Sequence, residues 1–419
     1  MKKFFITIFL LFFYANSYAA TLEVGSGKPY STINEAVDAA QPGDTVLVYS
    51  GVYKEKVTTS KSGSADNYIT IKSAESGVII DAESIRDGIL LKKHKYIIID
   101  GFNIINAYRG SAYGGAINCQ SSRYAIIRNN VITDGTGGTG GGPNPTTGVG
   151  DINIQNCDGL LLENNRALSR KADFNLGAWY SENMIIRANE FSGGLRYPVK
   201  ISASSDNVLF EKNYVHTDRV STNNGVHINL FLRDSQNAIV RYNVFNAQGS
   251  DALGAANFYD YMCDQTENHN IYNNIFLHDH KDHGAVQWTC QEGTYFRNNI
   301  VVSLSAAHTF KFNTSTVIID YNIHYAPLEY KNTIWSDFTN GPHNITSNPQ
   351  FLATGAIPSP YFHLKTASPA IDAGAPKTEP GRDYDGTITP QGGGFDIGAF
   401  EYVSKTPTPS VPPTGQIVQ

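Results

Sequence analysis

Short aliphatic runs recur along the chain, each followed by one or two polar residues, an asparagine and another apolar residue. Examples are RYAIIRNNVI, ENMIIRANEF and QNAIVRYNVF. The aligned asparagines are Asn130, Asn165, Asn189, Asn213, Asn243, Asn274, Asn299 and Asn322, spaced 23 to 35 residues apart. A unit that repeats at this period predicts a solenoid, in which each coil packs on its neighbours.

The coils are predicted to consist of strands. The apolar runs alternate with polar residues or are β-branched, and no helical period appears between them. Leucine-rich repeats would need a leucine consensus that is absent, and propeller blades would need a period of about 40 residues. The fold class is therefore all-β, a single-stranded parallel β-helix. We expect the asparagines to form a structural ladder at one turn, where this residue also tolerates a left-handed backbone.

The segment YSTINEAVDAAQPGD predicts a short helix before the first coils. Thr32 and Glu35 have the spacing of a capping box. An apolar stripe follows on one helical face, formed by Ile33, Ala36, Val37 and Ala40. Such a helix would cover the open N-terminal end of the stacked strands.

Residues 1–19 have the pattern of a signal peptide. Lys2 and Lys3 precede an apolar stretch, Phe4–Tyr14, and Ser17 and Ala19 occupy the positions before cleavage. A retained membrane anchor is the alternative. We expect a mature chain that begins near Ala20, is secreted or periplasmic and does not bind membranes after cleavage. The net charge of −6 gives no general attraction to nucleic acid.

Several segments resemble right-handed parallel β-helix proteins of the pectate-lyase-like superfamily. The N-terminal YSTINEAVDAAQPGDTVLVYSGVY is similar to their capping helix and first strand. SNPQF, SPAIDAGAP and DYDGTITPQGGGFDIGAFEY are similar to a C-terminal element of secreted bacterial members. The resemblance implies a β-helix over residues 20–346, an associated element over residues 347–403 and a disordered Pro-rich tail over residues 404–419. It also implies a secreted carbohydrate-active enzyme.

The strands that precede the repeats predict a polar column on the outside of one sheet. With aliphatic residues pointing inward, the outward residues are Asn118, Asn153, Asn175, Lys200, His227, Asn257, Gln287 and Lys311. Amides, cations and an imidazole suit a polymer rich in hydroxyl and carboxylate groups, so an acidic polysaccharide is the expected partner. A plain solvated sheet face is the alternative.

Lys200 and His227 lie about one coil apart near the centre of this column, among further basic and aromatic residues. β-Elimination on a uronate needs a neutralised carboxylate, a base and an acid for the leaving oxygen. β-Helix lyases similar to this chain commonly use a lysine base with an arginine about one coil later. The resemblance thus implies Lys200 as base and Arg219 or His227 as acid or neutraliser. The added candidates for substrate binding are Arg196, Tyr197 and Tyr259.

The stretch HDHKDHG contains three histidines within six positions. His280 and Asp282 are predicted to border the same face as substrate-binding residues. His278 and His280 would share a side of an extended segment, which suits a metal, but no fixed ligand spacing is present. A polar turn is the alternative, and calcium dependence stays open because the aspartate-rich calcium motif of one pectate lyase group is absent.

Other functions remain open at this point. A glycoside hydrolase would use carboxylates such as Asp173, Asp251, Asp260 and Asp282. A uronate epimerase would share the proton abstraction of a lyase, and a non-catalytic binder would need only the polar face. We expect a monomer in each case.

The chain has four cysteines. Cys263 and Cys290 each follow an outward strand and are one coil apart, within reach of a disulfide. We predict that they are bridged and that Cys119 and Cys157 are unpaired.

Overall fold

The computed structural model describes most of the chain between residues 19 and 404. The described residues are 19–107, 114–133, 150–170, 172–194, 197–217, 228–248, 254–260, 266–279, 284–304, 310–313, 317–326, 341–353, 361–376 and 381–404. Arg196, Arg219, His227, Cys263, His280 and Asp282 lie outside them.

Each coil passes through three strands, and strands of successive coils pair in parallel. Sheet 1 contains β4 (Val57–Thr58), β7 (Ile89–Lys92), β10 (Gly115–Gln120), β13 (Gly150–Gln155), β16 (Phe174–Trp179), β19 (Tyr197–Ser202), β22 (Ile228–Arg233), β25 (Gly254–Tyr259), β28 (Val286–Thr289) and β31 (Phe310–Asn313). The predicted all-β class and the right-handed parallel β-helix are confirmed.

Sheets 2 and 3 follow sheet 1 along each coil. Sheet 2 contains β1 (Thr21–Val24), β2 (Thr45–Val48), β5 (Ile69–Ser73), β8 (Ile97–Asp100), β11 (Ile126–Arg128), β14 (Leu161–Glu163), β17 (Ile185–Arg187), β20 (Leu209–Glu211), β23 (Ile239–Arg241), β26 (Asn270–Tyr272), β29 (Tyr295–Arg297) and β32 (Ile318–Asp320). Sheet 3 contains β3 (Gly51–Tyr53), β6 (Val78–Asp81), β9 (Asn103–Ile105), β12 (Val131–Thr133), β15 (Arg166–Ala167), β18 (Glu190–Ser192), β21 (Tyr214–His216), β24 (Val244–Ala247), β27 (Ile275–His278), β30 (Ile300–Ser303) and β33 (Ile323–Tyr325).

The asparagine ladder lies at the turn between sheets 2 and 3. From Asn165 onward, each asparagine accepts from the backbone N–H and the side-chain amide of the asparagine one coil earlier, as Asn213 does from Asn189 at 3.0 Å in both bonds. All eight predicted asparagines take part, and Asn344 continues the row. The left-handed residue, however, is the one before each ladder asparagine, such as Lys212 at φ 56°. The prediction assigned that conformation to the wrong position.

The N-terminal helix α1 spans Ile33–Ala39. Its capping box is present, and the Glu55 carboxylate also accepts from the backbone N–H groups of Ile33 and Asn34 at 2.8 and 3.0 Å. The predicted apolar stripe is buried in the same core as β1 and β2. Among the described residues, no helix is both long and apolar enough to cross a membrane.

The outer face of sheet 2 carries a row of alternating charges. In register, one residue per coil, the row reads Asp100, Arg128, Glu163, Arg187, Glu211 and Arg241. Each arginine forms a salt bridge with the acidic residue of the preceding coil. For example, Arg187 Nε lies 2.6 Å from Glu163 Oε1. Opposite charges directly across parallel strands stabilise that pairing.

The C-terminal element packs against the outer face of sheet 3. Its residues Phe362, Ile397 and Phe400 join Val244 and Ile300 in a second buried cluster. A short antiparallel pair, β34 (Gly381–Arg382) and β35 (Ile388–Thr389), belongs to it. The C-terminal element therefore covers part of the outer face of sheet 3.

Candidate functional site

The outer face of sheet 1 presents one residue per coil in strict register. From β10 to β31 this column reads Asn118, Asn153, Gly177, Lys200, Phe231, Asn257, Gln287 and Lys311. Six of the eight positions match the predicted column. Gly177 occupies the column position predicted for Asn175, so that assignment was wrong by register. Phe231 occupies the position on β22, while His227 lies outside the described residues and stays a prediction. Two positions on one strand share a face, and alternation does not distinguish them.

Lys200 is withdrawn from water. Its exposed fraction is 4 %, and its Nζ lies 5.5 Å from the ring centroid of Phe174 and 5.9 Å from those of Tyr197 and Phe231. The expectation of a solvent-facing lysine is therefore wrong, although its neighbours Val199 and Ile201 do point into the core. Rings at this distance attract a cation through their quadrupoles. The ammonium is held within an aromatic cluster on the outer face.

This aromatic cluster extends over four coils. Phe174 stacks on Tyr197 at 5.9 Å between centroids, Tyr197 on Phe231 at 4.8 Å, and Phe231 leans on Tyr259 at 6.2 Å. The predicted ligand residues Tyr197 and Tyr259 are thus joined to Lys200 by two phenylalanines that the sequence argument overlooked. Aromatic faces in clefts are typical linings of small-molecule sites.

Trp179 completes the cluster on the side toward the N-terminus. Its ring meets Phe174 edge to face at 5.7 Å. Any Cβ at Gly177 would collide with this indole, so the glycine lets the tryptophan lie flat against the sheet. A glycine within a strand often marks such a close approach. Gly177 was therefore the feature of the sequence that could have indicated a side chain packed against this strand.

Asp151 is a buried carboxyl group that the sequence argument also missed. Its Oδ2 accepts from the Ser169 backbone N–H at 3.0 Å and from the Asn175 side chain at 2.9 Å. Burial raises the pKa of Asp151 to about 6, against the opposing effect of these hydrogen bonds. The Asn175 Oδ1 in turn accepts from Gly194 N–H at 2.9 Å. Asn175 therefore orients the carboxyl group, and Asp151 can hold or release a proton near neutral pH.

Amide groups flank the aromatic cluster on both sides. Within the described part of the chain, neither side-chain amide atom of Asn118 has a hydrogen-bond partner, and the same holds for Oδ1 of Asn257. Asn118 is 1 % exposed. A buried polar atom without a partner costs about 1–3 kcal/mol, so these amides are suited to bonds with a ligand.

A second cation lies one position further along the same face. Arg233 follows Phe231 by two residues in β22, and its guanidinium lies 5.7 Å from the Tyr259 ring centroid. Its Nε is 2.9 Å from Asp234 Oδ2. Lys200 and Arg233 place two cationic groups on this face, and the Asp234 carboxylate offsets part of the charge of Arg233.

The histidine-rich stretch is only partly described. His278 ends β27 and is fully buried, whereas His280 and Asp282 lie outside the described residues. No group of three His, Cys, Asp or Glu side chains in the described ranges is arranged to hold a metal ion. Asp260, one of the carboxylates considered for hydrolysis, is 2 % exposed. Burial raises the pKa of Glu267 to about 7, and the negative charge of Asp260 contributes to this rise.

The cysteines fall into two groups. Cys119 and Cys157 are free, as predicted, and both are buried. Cys290 is disulfide-bonded. Since Cys263 lies outside the described residues, its pairing with Cys290 stays a prediction.

Comparisons with known proteins identify the fold. No protein-family model and no curated protein sequence matches the chain. Among solved structures, pectate lyase Pel9A is similar at TM-score 0.57 and 13 % identity, covering 92 % of this chain and 97 % of that one. The GH136 lacto-N-biosidase from Eubacterium ramulus is similar at TM-score 0.56 and 13 % identity, covering 78 % and 68 %.

The adhesin PfbA of Streptococcus pneumoniae is similar at TM-score 0.52 and 12 % identity, covering 70 % of this chain and 86 % of that one. Identities this low carry the fold and not the reaction, because one fold hosts many chemistries. The chain has the right-handed parallel β-helix fold of the pectate-lyase-like type.

Proposed function

We propose that this protein is a secreted enzyme that cleaves a uronate-containing polysaccharide by β-elimination on the outer face of sheet 1. The observation that carries the proposal is Lys200, a lysine withdrawn from water yet located on the outer face among aromatic rings. Lysines in such surroundings are those that proteins use as bases.

In the proposed reaction Lys200 removes the proton α to the uronate carboxylate. The electron pair forms a carbon–carbon double bond, and the glycosidic oxygen leaves with a proton from an acid. Arg219 or His227 remains the proposed acid or neutraliser, as the family resemblance implies. Arg233, on the same face, is an additional candidate to bind a substrate carboxylate.

The ring faces of Tyr197, Phe231 and Tyr259 would hold sugar rings by stacking. The amides of Asn118, Asn153, Asn257 and Gln287, with the Asn175 network beside them, would bond hydroxyl groups along the polymer. The column spans eight strands at about 4.8 Å each, which suits an extended chain of several sugar units. Arg196, His280 and Asp282 remain proposed contacts.

A glycoside hydrolase is the second candidate, and Asp151 is the observation that favours it. A carboxyl group with a pKa of about 6 matches the acid of a hydrolase. Asp173, one residue before β16, is the proposed second carboxylate.

A polysaccharide screen tests both proposals. The purified protein is incubated with pectate, alginate and glycosaminoglycans, and ultraviolet absorbance and new reducing ends are followed together. Absorbance from an unsaturated uronate supports the lyase. Reducing ends without absorbance, lost in Asp151→Asn, support the hydrolase. Binding without cleavage would overturn both in favour of a binding module.

A further inference from the structure

Three side chains on the outer face of sheet 3 form a connected group that shares no residue with the Lys200 site. Ser192 Oγ lies 3.3 Å from His216 Nδ1, and His216 Nε2 lies 3.2 Å from Glu190 Oε1. Ser192 and His216 are register partners on β18 and β21, and Glu190 is two residues before Ser192 on the same face. One imidazole therefore bridges a hydroxyl group and a carboxylate.

Neighbouring residues fix this histidine. The Tyr214 ring stacks on the imidazole at 4.3 Å with an interplanar angle of 17°. Arg166 Nε donates to the other Glu190 oxygen, Oε2, at 2.7 Å. Burial by itself would raise the pKa of Glu190, but the bonds from His216 and Arg166 outweigh it and the pKa is lowered. An ionised Glu190 favours the tautomer with hydrogen on Nε2, which leaves Nδ1 to accept from Ser192.

The group is mostly buried, with Ser192 7 % exposed, and it lies beside the sheet 1 site. The His216 and Glu190 side chains are 16 % and 28 % exposed. Ser192 is followed by Gly193, at φ 96°, and Gly194. Gly193 lies against Arg170 and Gly194 against the backbone of Tyr197, and the Gly194 backbone N–H donates to Asn175 of the Asp151 network. The serine thus lies at the corner between sheets 3 and 1.

We propose that Ser192, His216 and Glu190 form a second catalytic centre, a serine esterase that removes short acyl groups from carbohydrate hydroxyls. A nucleophile in contact with a base, and the base in contact with an orienting acid, is the arrangement that activates a serine. Esterase chemistry follows from the three side chains. That the ester is carried by a carbohydrate rests on the proposed function.

The reaction balances with water as the only co-reactant. Ser192 Oγ attacks the acyl carbonyl carbon while its proton moves to His216 Nδ1. The ester C–O bond breaks, and His216 returns the proton to the leaving sugar oxygen. Water then gives its proton to His216 and cleaves the acyl-serine, which releases the carboxylic acid and regenerates Ser192. Glu190 stabilises the imidazolium in both steps.

The test uses the full-length protein with a fluorophosphonate probe and 4-nitrophenyl acetate. We expect a single phosphonylated residue, Ser192, identified by peptide mass. Ester turnover should fall about a hundredfold or more in Ser192→Ala and His216→Gln. Glu190→Gln should retain labelling but move the acidic limb of the pH–rate profile to lower pH, because the imidazolium loses its counter-charge. Ser235→Ala, a serine bonded only to a backbone carbonyl in the described residues, is the matched control.

The alternative is a network that only stabilises sheet 3. Melting temperatures would then fall in the variants, while labelling and turnover would equal those of the control, and this result would overturn the proposal. Neither probe contains a uronate, so failure here leaves the uronate absorbance assay unaffected. Acetate release from an acetylated pectin by the wild type and by Ser192→Ala tests the carbohydrate assignment separately. Equal acetate release by the two proteins would contradict that assignment.

Discussion

Phe231 lies directly opposite Lys200 across β19 and β22, with its ring centroid 5.9 Å from the lysine Nζ. The pair joins the proposed base to the aromatic cluster. It also means that the lysine stem contributes to packing, because long cationic side chains bury their methylene groups against apolar surfaces.

Lys200→Ala should therefore affect both activity and folding. We expect turnover on the polysaccharide identified by the screen to fall about a hundredfold or more, and the free energy of unfolding to fall by about 1–3 kcal/mol. Lys200→Met, which keeps the stem but not the amine, should lose the activity with less effect on thermal melting. Activity of the methionine variant within a few-fold of wild type would mean that another residue is the base.

Tyr259→Ala should weaken polysaccharide binding about tenfold. The ring lies at the end of the aromatic cluster and under the Arg233 guanidinium, so its loss removes a stacking surface and loosens a cation. Isothermal titration with an oligosaccharide measures the effect. Tyr295→Ala, which truncates an exposed tyrosine on sheet 2, is the control, and equal affinities for the two variants would contradict the placement of the site.

Asn213→Ala should destabilise the solenoid by about 3 kcal/mol or more. The side chain accepts from Asn189 and donates to Asn243 and to the Ile186 carbonyl, so truncation removes buried hydrogen bonds to the coil before and the coil after it. Asn270→Ala, on the outer face of sheet 2, should cost less than about 1 kcal/mol. Urea unfolding of both variants gives the comparison, and similar midpoints would mean that the ladder is not a main source of stability.

Raising the pH should weaken the C-terminal element. Burial, followed by repulsion from neighbouring carboxylates, raises the pKa of Asp396 to about 6 and that of Glu401 to about 7. Unfolded, both groups have pKa values near 4, so the folded state binds more protons between about pH 4 and 7. Stability from these groups is thus present below pH 4 and is lost as the pH rises through 6 and 7.

Thermal melting at pH 5 and pH 8 checks this sign. Glu401→Gln should reduce the difference between the two melting temperatures, whereas Glu182→Gln at an exposed position should not. A melting temperature that rises with pH through this range, and more steeply in wild type than in Glu401→Gln, would contradict the assignment.

The disulfide between Cys263 and Cys290 can be mapped directly. We expect peptide mass analysis of the exported protein to show the two cysteines joined, with Cys119 and Cys157 alkylated only after unfolding because both thiols are buried. Alkylation of Cys263 without a reducing agent would reject the bridge.

The sequence was sufficient for the fold because its signal is repeated. Eight asparagines at similar spacing, with aliphatic strands before them, leave few alternatives, and the capping box of α1 is a local pattern that tertiary contacts did not override. The inward and outward faces of β19 were also predictable from alternation, since Val199 and Ile201 are buried in the core.

The site was less predictable, for physical reasons. Alternation assigns a face but not a register, so Asn175 was placed where Gly177 lies. Exposure depends on what covers a side chain, and no local pattern showed that rings from three neighbouring strands would enclose Lys200. The raised pKa of Asp151 depends on burial, which is a property of the whole fold.

The alternating charges on the outer face of sheet 2 repeat every two coils, although the fold repeats every one. Removing a single coil, for example the one that contributes Arg187, would bring Glu163 and Glu211 into register and place like charges side by side. Removing two consecutive coils would restore an acid beside an arginine. In this part of the solenoid the unit that can be deleted or duplicated without electrostatic conflict is therefore a pair of coils, so natural or designed length variants should differ by even numbers.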